Sequence, residues 1–256
     1  MKLSGKRALV TGGGRGIGHG IALCLGKYGA DLVLGYRKDE SAVQETLAEL
    51  KKMGRKAKAV KADVTNPQEV EAMVAEAVKE LGGLDIVAVN AGVASRGQTV
   101  RDTEPQEFQR VISTNLLGAC YTAKYVTRQM HEQETGGSIT FTSSIITRVL
   151  TPWSAPYAAA KMGLEAMMVV LAKEEVSQKI RINAVAPGIV ETEMGRRLLR
   201  ARGIDDIKGM SSVLPLGRVC QPQDIGELVS FLASEEGSYI TGQVIGIEGG
   251  ASFLGM

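Results

Sequence analysis

Residues 11–18 read Thr11-Gly12-Gly13-Gly14-Arg15-Gly16-Ile17-Gly18, and this glycine-rich stretch decides the fold. The apolar run Arg7–Thr11 before it predicts a buried strand, and Ile17–Tyr28 after it predicts a helix. Glycines between a strand and a helix let main-chain N–H groups approach a pyrophosphate at the amino end of that helix. A plain turn is the alternative, but the strand–helix context disfavours it. The stretch therefore predicts a dinucleotide-binding loop.

The rest of the chain alternates short apolar runs with longer amphipathic segments. Because these runs are continuous rather than alternating, the strands are covered on both faces, which predicts an α/β fold with a doubly wound parallel seven-stranded sheet flanked by helices. No linker divides the chain, so we expect a single domain over residues 1–256. Strands are predicted at Arg7–Thr11, Asp31–Tyr36, Lys56–Ala62, Asp85–Val89, Ser138–Thr142, Ile180–Val185 and Gln243–Ile247. Helices are predicted at Ile17–Tyr28, Glu40–Met53, Pro67–Leu81, Gln106–Gln133, Ala155–Ser177 and Pro222–Ala233, and a polar segment, Glu191–Leu214, interrupts the pattern.

The composition is that of a globular chain without strong surface charge. It has 256 residues, 44% of them hydrophobic, and a formal net charge of +2. A nearly neutral chain offers no electrostatic case for binding nucleic acid or a membrane surface. No apolar stretch approaches the length of about 18 residues that spans a membrane, and the first residues lack a signal-peptide pattern, so we expect a cytoplasmic protein. The widely spaced Cys24, Cys120 and Cys220 indicate reduced thiols and no metal site.

The segment Ala158–Ala172 is apolar almost all round, with Lys161 and Glu165 as its only charges. A helix of this kind is covered on more than one side. Either the domain encloses it or a second subunit covers its outer face, and the frequency of symmetric oligomers favours the subunit. We therefore expect a homotetramer or a homodimer.

The end of the second strand bears on the choice of cofactor. A carboxylate there would accept hydrogen bonds from the ribose of NAD(H), but the chain reads Gly35-Tyr36-Arg37. Arg37, with Arg15 from the glycine loop, is placed to meet a 2′-phosphate, which favours NADP(H). The alternative is that Arg37 is a solvated charge and Asp39 reaches the ribose. Asp63, after the third strand, suits a contact with the adenine ring or a cap for the Pro67 helix.

The chemical signal lies in Tyr157 and Lys161, which are one helical turn apart on the same face. A phenol titrates near pH ~10 and is a poor base at neutral pH. A nearby cation stabilises the phenolate, so we expect Lys161 to lower the pKa of Tyr157 and make it usable as a general acid or base. Ser144, just after the strand Ser138–Thr142, is placed to bond the same substrate oxygen and polarise it.

Taken together, these residues resemble the short-chain dehydrogenase/reductase family over essentially the whole chain. The resemblance implies a Rossmann fold and hydride transfer between NADP(H) and a carbonyl or alcohol carbon. It also implies a set of catalytic residues, Asn115, Ser144, Tyr157 and Lys161, in which Asn115 holds a water in a proton relay and Lys161 also binds the nicotinamide ribose. The cofactor contacts that it implies, together with those expected above, are Gly12, Gly14, Arg15, Gly16, Ile17, Gly18, Tyr36, Arg37, Asp63, Val64, Asn90, Ala91, Gly92, Tyr157, Lys161, Pro187, Gly188, Ile189 and Thr192.

One motif departs from the family. The family usually has Asn-Asn-Ala-Gly after the fourth strand, and this chain has Val89-Asn90-Ala91-Gly92. The replaced asparagine mainly stabilises the sheet in the family, so Val89 puts local hydrogen bonding rather than catalysis in question.

Within the family, the chain resembles bacterial 3-oxoacyl-acyl-carrier-protein reductases, which implies a thioester or small-molecule carbonyl substrate. A dehydrogenase of a sugar, cyclic alcohol or other small ketone is the alternative, and a non-catalytic NADP sensor is disfavoured because the catalytic residues are present. Residues 189–214 are expected to form a substrate lid. Its basic residues Arg196, Arg197, Arg200 and Arg202 suit an acidic carrier, whereas the loop His131–Glu134 is acidic and argues against one. The apolar residues expected to line a substrate pocket, or else the core, are Trp153, Met194, Leu198, Leu199 and Met210.

Overall fold

A single parallel sheet organises the chain. The computed structural model describes residues 2–133, 135–200 and 203–254. Its strands lie side by side in the order β3-β2-β1-β4-β5-β6-β7, which confirms the predicted α/β Rossmann-like fold with seven parallel strands. The order reverses between β1 and β4, and ligands of such sheets bind beyond the carboxyl ends of the strands at this point. The strands are β1 Arg7–Thr11, β2 Asp31–Tyr36, β3 Ala57–Lys61, β4 Ile86–Val89, β5 Gly137–Thr142, β6 Ile180–Pro187 and β7 Val244–Ile247.

Helices connect the strands and cover both faces of the sheet. The span predicted to hold helices, Gln106–Gln133, contains two helices separated by a π-helical turn at Ser113–Leu117, and the polar segment after β6 contains a short helix. Local signals explain several ends: Asn66 caps α3 ahead of Pro67, and Gly82 ends it in the left-handed conformation. The helices are α1 Gly16–Lys27, α2 Glu40–Lys52, α3 Pro67–Leu81, α4 Pro105–Ile112, α5 Gly118–Gln133, α6 Ile146–Val149, α7 Ala155–Glu175, α8 Glu193–Arg200 and α9 Pro222–Ala233.

The core consists of two large apolar clusters and a small one. One large cluster joins the sheet to α3, α5 and α7, and the other joins it to α1, α2 and α9. The small cluster, which we term the lid core, contains the buried side chains of Leu199, Ile207, Met210 and Val219. An isolated bridge between Val190 and Cys220 brings the two ends of this segment together. The segment after β6 thus has a core of its own.

Helix α7 carries an exposed apolar face in addition to its buried one. Met162 and Val170 are exposed large hydrophobics, whereas Leu164 and Met168 are buried against the sheet. Residues Ala155–Gln178 are long and apolar enough to cross a membrane, by length and composition only. A single such helix is weak evidence for a span, and α7 packs on β6 as one layer of the Rossmann fold. We therefore assign it to the core of the domain.

An ion pair ties β1 to the start of β4 at the amino end of the sheet. Arg7 donates to the Asp85 carboxylate through its main-chain N at 2.9 Å, its Nε at 2.8 Å and an Nη at 2.9 Å. Burial opposes ionisation of Asp85, but the hydrogen bonds and charge of Arg7 outweigh it, so the pKa of Asp85 lies below its ordinary value. Both side chains are largely shielded from solvent, so this ion pair is part of the fold and not an exposed surface pair.

Candidate active site

The glycine loop is held against the end of β4 by Asn90. The Asn90 side-chain amide donates to the carbonyls of Thr11 at 3.1 Å and Gly12 at 3.3 Å. In return, the Thr11 hydroxyl accepts hydrogen bonds from the main-chain N–H groups of Asn90 at 2.9 Å and Ala91 at 3.1 Å. The side chain predicted to contact the cofactor ribose is therefore used here to fix the loop, and the ribose contact stays a prediction.

Glycine is required in this loop by close packing. A Cβ at Gly18 would lie 2.1 Å from the Gly12 carbonyl oxygen, and one at Gly14 would lie 2.9 Å from Val43. Gly12 itself has a φ of +66°, which disfavours a side chain. The N-cap of α1, Arg15, makes no side-chain cap hydrogen bond, so the first N–H groups of α1 keep their capacity to bind an anion. These features fit a dinucleotide pyrophosphate at this helix terminus.

The two arginines predicted to converge on a phosphate each meet a different carboxylate. Arg15 Nη1 lies 3.7 Å from Asp39 Oδ2, and Arg37 Nη1 lies 3.5 Å from Asp63 Oδ2. Arg15 has 70% of its side chain exposed and Arg37 has 44%, so both pairs are solvated and weak. Because such pairs exchange readily, the arginines stay available to a bound anion.

The acidic residues near these arginines have structural partners as well. Asp39 is the N-cap of α2, where its side chain accepts a hydrogen bond from Ala42 N at 3.2 Å. Asp63 accepts hydrogen bonds from the main-chain N–H of Thr65 at 3.0 Å and from its hydroxyl at 2.8 Å. The alternative that Asp63 caps the Pro67 helix is wrong, because Asn66 caps it; the adenine contact stays a prediction.

Three side chains meet beyond the carboxyl end of β5. Ser144, which follows the strand, lies near enough to Tyr157, at the start of α7, for its hydroxyl to lower the pKa of the phenol. The Lys161 ammonium lies 5.8 Å from the centroid of the Tyr157 ring and donates to the Thr142 carbonyl at 2.6 Å. The side chain of Lys161 is buried, with 3% of the residue exposed. The structure thus brings together the three residues that the sequence predicted.

Burial governs the protonation of this cluster. Desolvation raises the pKa of Tyr157 above its ordinary value, and the hydrogen bond from Ser144 lowers it only in part. Desolvation also lowers the pKa of Lys161 to about 8, although the charge of Glu165 opposes this. Lys161 has therefore lost its charge before the phenol titrates. Desolvation and Ser144, rather than Lys161, therefore govern the pKa of Tyr157 in this structure, and the expected lowering by Lys161 is not seen.

Asn115 occupies the π-helical turn between α4 and α5. Its Oδ1 accepts from Val93 N at 2.8 Å, and its Nδ2 donates to the Val93 carbonyl at 2.9 Å. This reciprocal pair fixes the chain that leads away from Gly92. Hydrogen bonds to the main chain of Val93 thus occupy the Asn115 side chain. A π-helical turn also changes the local pattern of main-chain carbonyls, and such turns often occur at functional sites. The predicted role of Asn115 in holding a water stays a prediction.

The remaining predicted contacts lie around the end of β6. Gly188 follows β6, and a Cβ there would lie 2.8 Å from Glu248, so the chain packs closely at this point. Thr192 lies against the glycine loop, since its Cγ2 would be 3.4 Å from a Cβ at Gly16. Trp153, four residues before Tyr157 in the chain, is 59% exposed and has a φ of +64°, a strained conformation for a non-glycine residue. Two more predicted cofactor contacts, Pro187 and Ile189, lie at and just after the end of β6. Val64, also predicted to contact the cofactor, packs beneath Gly118.

This geometry agrees with the comparisons to known proteins. A sequence model of the family described as Enoyl-(Acyl carrier protein) reductase matches residues 12–252. Versicolorin reductase 1 of Aspergillus parasiticus is 38% identical, over 98% of this chain and 97% of that protein. Tetrahydroxynaphthalene reductase of Pyricularia oryzae is also 38% identical, over 97% of this chain and 90% of that protein. A crystal structure of NAD+-bound xylitol dehydrogenase has a TM-score of 0.91 and 29% identity, covering 98% of this chain and 100% of that chain.

The chain belongs to the short-chain dehydrogenase/reductase family. It is therefore an oxidoreductase that acts on carbonyl and alcohol carbons and uses NAD(P). The relatives above are named for versicolorin and tetrahydroxynaphthalene, so the predicted likeness to 3-oxoacyl-acyl-carrier-protein reductases holds at the level of the family and not specifically.

In this short-chain dehydrogenase/reductase, two of the basic residues in the predicted lid pair with acidic neighbours. Arg196 pairs with Glu191 at 3.2 Å, and Arg197 pairs with Glu193 at 2.8 Å. Arg200 is exposed. The predicted acidic-partner surface thus retains little free positive charge among residues 189–200, and both Arg202 and the acidic Glu134 lie outside the described residues.

The residue that sequence reasoning missed in this family member is Glu165. Its carboxylate accepts hydrogen bonds from Ser143 and Thr147, which flank Ser144 in the chain. The signal was present, because Tyr157, Lys161 and Glu165 recur at intervals of one helical turn. From the sequence alone, Glu165 is recognisable only as one of two charges on an apolar helix.

Proposed function

We propose that this protein is an NADP(H)-dependent carbonyl reductase in which Ser144, Tyr157 and Lys161 perform the proton chemistry. The observation that carries the proposal is the convergence of Ser144, Tyr157 and the buried Lys161 beyond the carboxyl end of β5. A phenol beside a hydroxyl and a buried ammonium is the arrangement that a general acid for a carbonyl oxygen requires.

The cofactor, when bound, supplies the hydride for the carbonyl carbon. The glycine loop and the uncapped start of α1 would hold its pyrophosphate, and Asn90 would keep that loop in place. Ser144 Oγ hydrogen-bonds to the substrate oxygen and polarises the carbonyl, while Tyr157 Oη donates a proton to that oxygen. Lys161 would hold the cofactor ribose, and its ammonium keeps positive charge near the phenol. In the oxidative direction Tyr157 accepts the proton instead. Asn115 completes the proposed set by holding a water in the proton relay to Lys161.

The choice of NADP(H) rests on Arg15 and Arg37. Both are exposed cations with only solvated carboxylate partners, so each is able to turn to a 2′-phosphate. We expect Arg37→Asp to shift the ratio of kcat/KM values toward NAD(H) by about tenfold or more. Arg101→Asp, at an exposed pair on another loop, is the control. An unchanged cofactor preference would contradict the assignment of Arg37 to the 2′-phosphate, whereas a wild type that prefers NAD(H) would make NAD(H) the cofactor, the form bound in the xylitol dehydrogenase structure.

We propose a small, flat, apolar ketone as the substrate rather than an acyl group on a carrier protein. Trp153 offers an exposed aromatic face near Tyr157, and Met194 and Leu198 are exposed apolar side chains on α8. The internal pairing of Arg196 and Arg197 leaves little positive surface for an acidic carrier. A 3-oxoacyl reductase and a sugar or alcohol dehydrogenase are the alternatives that the substrate panel also tests.

The experiment is a substrate panel with both cofactors, followed by absorbance at about 340 nm, where reduced nicotinamide absorbs. The panel contains an aromatic ketone, a cyclic diketone, an acetoacetyl thioester and a sugar. We expect turnover with NADPH and a ketone, and loss of turnover with retained cofactor binding in Tyr157→Phe. Retained activity in that variant would refute the proton assignment. Cofactor binding without turnover of any substrate would favour a non-catalytic NADP sensor.

We further propose a cytoplasmic homotetramer or homodimer of single-domain subunits, each with a substrate lid at residues 189–214. The support is the exposed apolar face of α7, including Met162 and Val170. We expect Val170→Asp to reduce the mass measured by light scattering. An unchanged mass would show that this face is not an interface between subunits.

A further inference from the structure

One carboxylate ties the residues around Ser144 to helix α7. Ser143 Oγ donates to Glu165 Oε1 at 2.5 Å, and Thr147 Oγ1 donates to the same oxygen at 3.0 Å. Ser143 is buried, with 2% of the residue exposed. Since Ser143 precedes Ser144 and Thr147 begins the next turn, Glu165 restrains the chain on both sides of Ser144.

The same carboxylate belongs to the helix face that carries the reacting groups. Tyr157, Lys161 and Glu165 follow one another at four-residue intervals, so they share one face of α7. Lys161 is meanwhile fixed by its hydrogen bond to the Thr142 carbonyl at the end of β5. Glu165 therefore connects, through hydrogen bonds on one side and charge on the other, the two elements that hold Ser144 and Tyr157.

We propose that Glu165 is a positioning residue that holds Ser144 against Tyr157 and acts on Lys161 from one turn further along the same helix face. The inference rests on the proposed function, because it concerns the same three side chains. It adds a group that contacts neither substrate nor cofactor and acts only through Ser144 and Lys161.

The two actions are chemically separable. Glutamine at position 165 retains an oxygen that accepts from Ser143 and Thr147 but carries no charge. Burial lowers the pKa of Lys161 to about 8 and Glu165 opposes this, so loss of the charge makes Lys161 deprotonate at lower pH.

Other charged groups on α7 and on the elements packed against it have partners of their own. His131 of α5 pairs with Glu175 of α7 at 2.5 Å, and Arg181 of β6 donates to the Gly237 carbonyl at 2.9 Å. Arg110 of α4 pairs with Glu107 at 2.8 Å, and Arg148 of α6 donates to the Val244 carbonyl at 2.9 Å. Lys124 of α5 is exposed and lies over the Tyr125 ring. Among the described residues, Glu165 is therefore the charge that acts on Lys161.

The test measures kcat and kcat/KM against pH for the wild type, Glu165→Gln and the double variant Ser143→Ala/Thr147→Val. We expect Glu165→Gln to keep its plateau kcat while the alkaline limb moves to lower pH, because activity requires protonated Lys161. We expect the double variant to lose roughly tenfold in kcat with its limb unmoved, because Ser144 is displaced while the charge remains. Glu174→Gln, at an exposed position on α7, is the control.

If the alkaline limb of the Glu165→Gln profile lies within about 0.2 pH unit of the wild-type limb, the electrostatic role is overturned. An unchanged kcat in the double variant overturns the positioning role. Urea unfolding provides a readout independent of turnover. The rise in stability that accompanies deprotonation of Lys161 must begin at lower pH in Glu165→Gln than in the wild type, and coincident curves overturn the proposal. A wild type that turns over no substrate contradicts the proposed function, whereas the unfolding curves still decide the role of Glu165.

Discussion

Replacing Lys161 by methionine removes a buried ammonium with little change in side-chain length. Burial lowers the pKa of Lys161 from 10.5 to about 8. At about 1.36 kcal/mol per pKa unit, this difference means that protonated Lys161 costs the folded state about 3 kcal/mol. The Lys161→Met variant avoids that cost but leaves the Thr142 carbonyl without its donor, which costs about 1 kcal/mol. We therefore expect the variant to be inactive and, near neutral pH, about 2 kcal/mol more stable than the wild type.

The pH dependence separates this effect from other consequences of the substitution. The pKa of Lys161 is depressed in the folded state, so the unfolded chain binds more protons than the folded protein between about pH 8 and 10.5. Wild-type stability from this group therefore rises with pH, by about 2 kcal/mol between about pH 7 and 9.5. The variant lacks this rise, and its advantage shrinks toward zero over the same interval. The interval ends below the titration of Tyr157, whose pKa is raised above 10.0.

The measurement is urea unfolding followed by circular dichroism at several pH values for the wild type and Lys161→Met. Lys173→Met, at an exposed position on the same helix, controls for the loss of a lysine from α7. Loss of the hydrogen bond to Thr142 changes the difference in unfolding free energy by the same amount at every pH, whereas the buried charge makes that difference depend on pH. A difference in unfolding free energy that is the same at every pH would refute the reasoning, because it would mean that Lys161 has an ordinary pKa.

Two further predictions concern the loop and the fold. Gly18→Ala places a methyl group 2.1 Å from a main-chain oxygen of the glycine loop, so we expect nucleotide affinity by titration calorimetry to fall by about tenfold or more. Gly54→Ala, at a left-handed glycine with nothing within 4 Å of its Cβ, should cost about 1 kcal/mol of stability and leave the affinity unchanged. Asp85→Ala removes the acceptor of the Arg7 hydrogen bonds and should lower the unfolding free energy by about 2–3 kcal/mol without changing kcat. The same change at the exposed Asp102 should have no resolvable effect, and equal effects at the two positions would contradict the role of burial.

The sheet was predictable because its strands are continuous apolar runs, as in Asp31–Tyr36 and Arg7–Thr11. The π-helical turn at Ser113–Leu117 was not, since a single turn of different pitch leaves hydrophobic periodicity almost unchanged. Helix α8 escaped prediction for another reason. It is short and rich in arginine, and its core partners Ile207 and Val219 come from beyond its own sequence.

The residues of the site were predictable from the sequence, whereas their pKa values and ion pairs were less so. Spacing alone placed Tyr157 and Lys161 on one helix face, and the glycine loop required its glycines for packing that the structure shows. The effect of Lys161 on the phenol depends on how deeply both groups are buried, which no local pattern records. The pairing of Arg15 with Asp39 likewise depends on two separate loops meeting in space.

The lid core has a consequence for motion. Its four buried side chains are separate from the two clusters that hold the sheet, and the bridge between Val190 and Cys220 closes the segment at its base. Local unfolding follows such boundaries, because breaking a small cluster costs far less than breaking the core. Amide hydrogens around Leu199 and Met210 should therefore exchange together, at a lower free energy than those of β1 and β4. This unit would then open cooperatively while the sheet and the glycine loop stay protected.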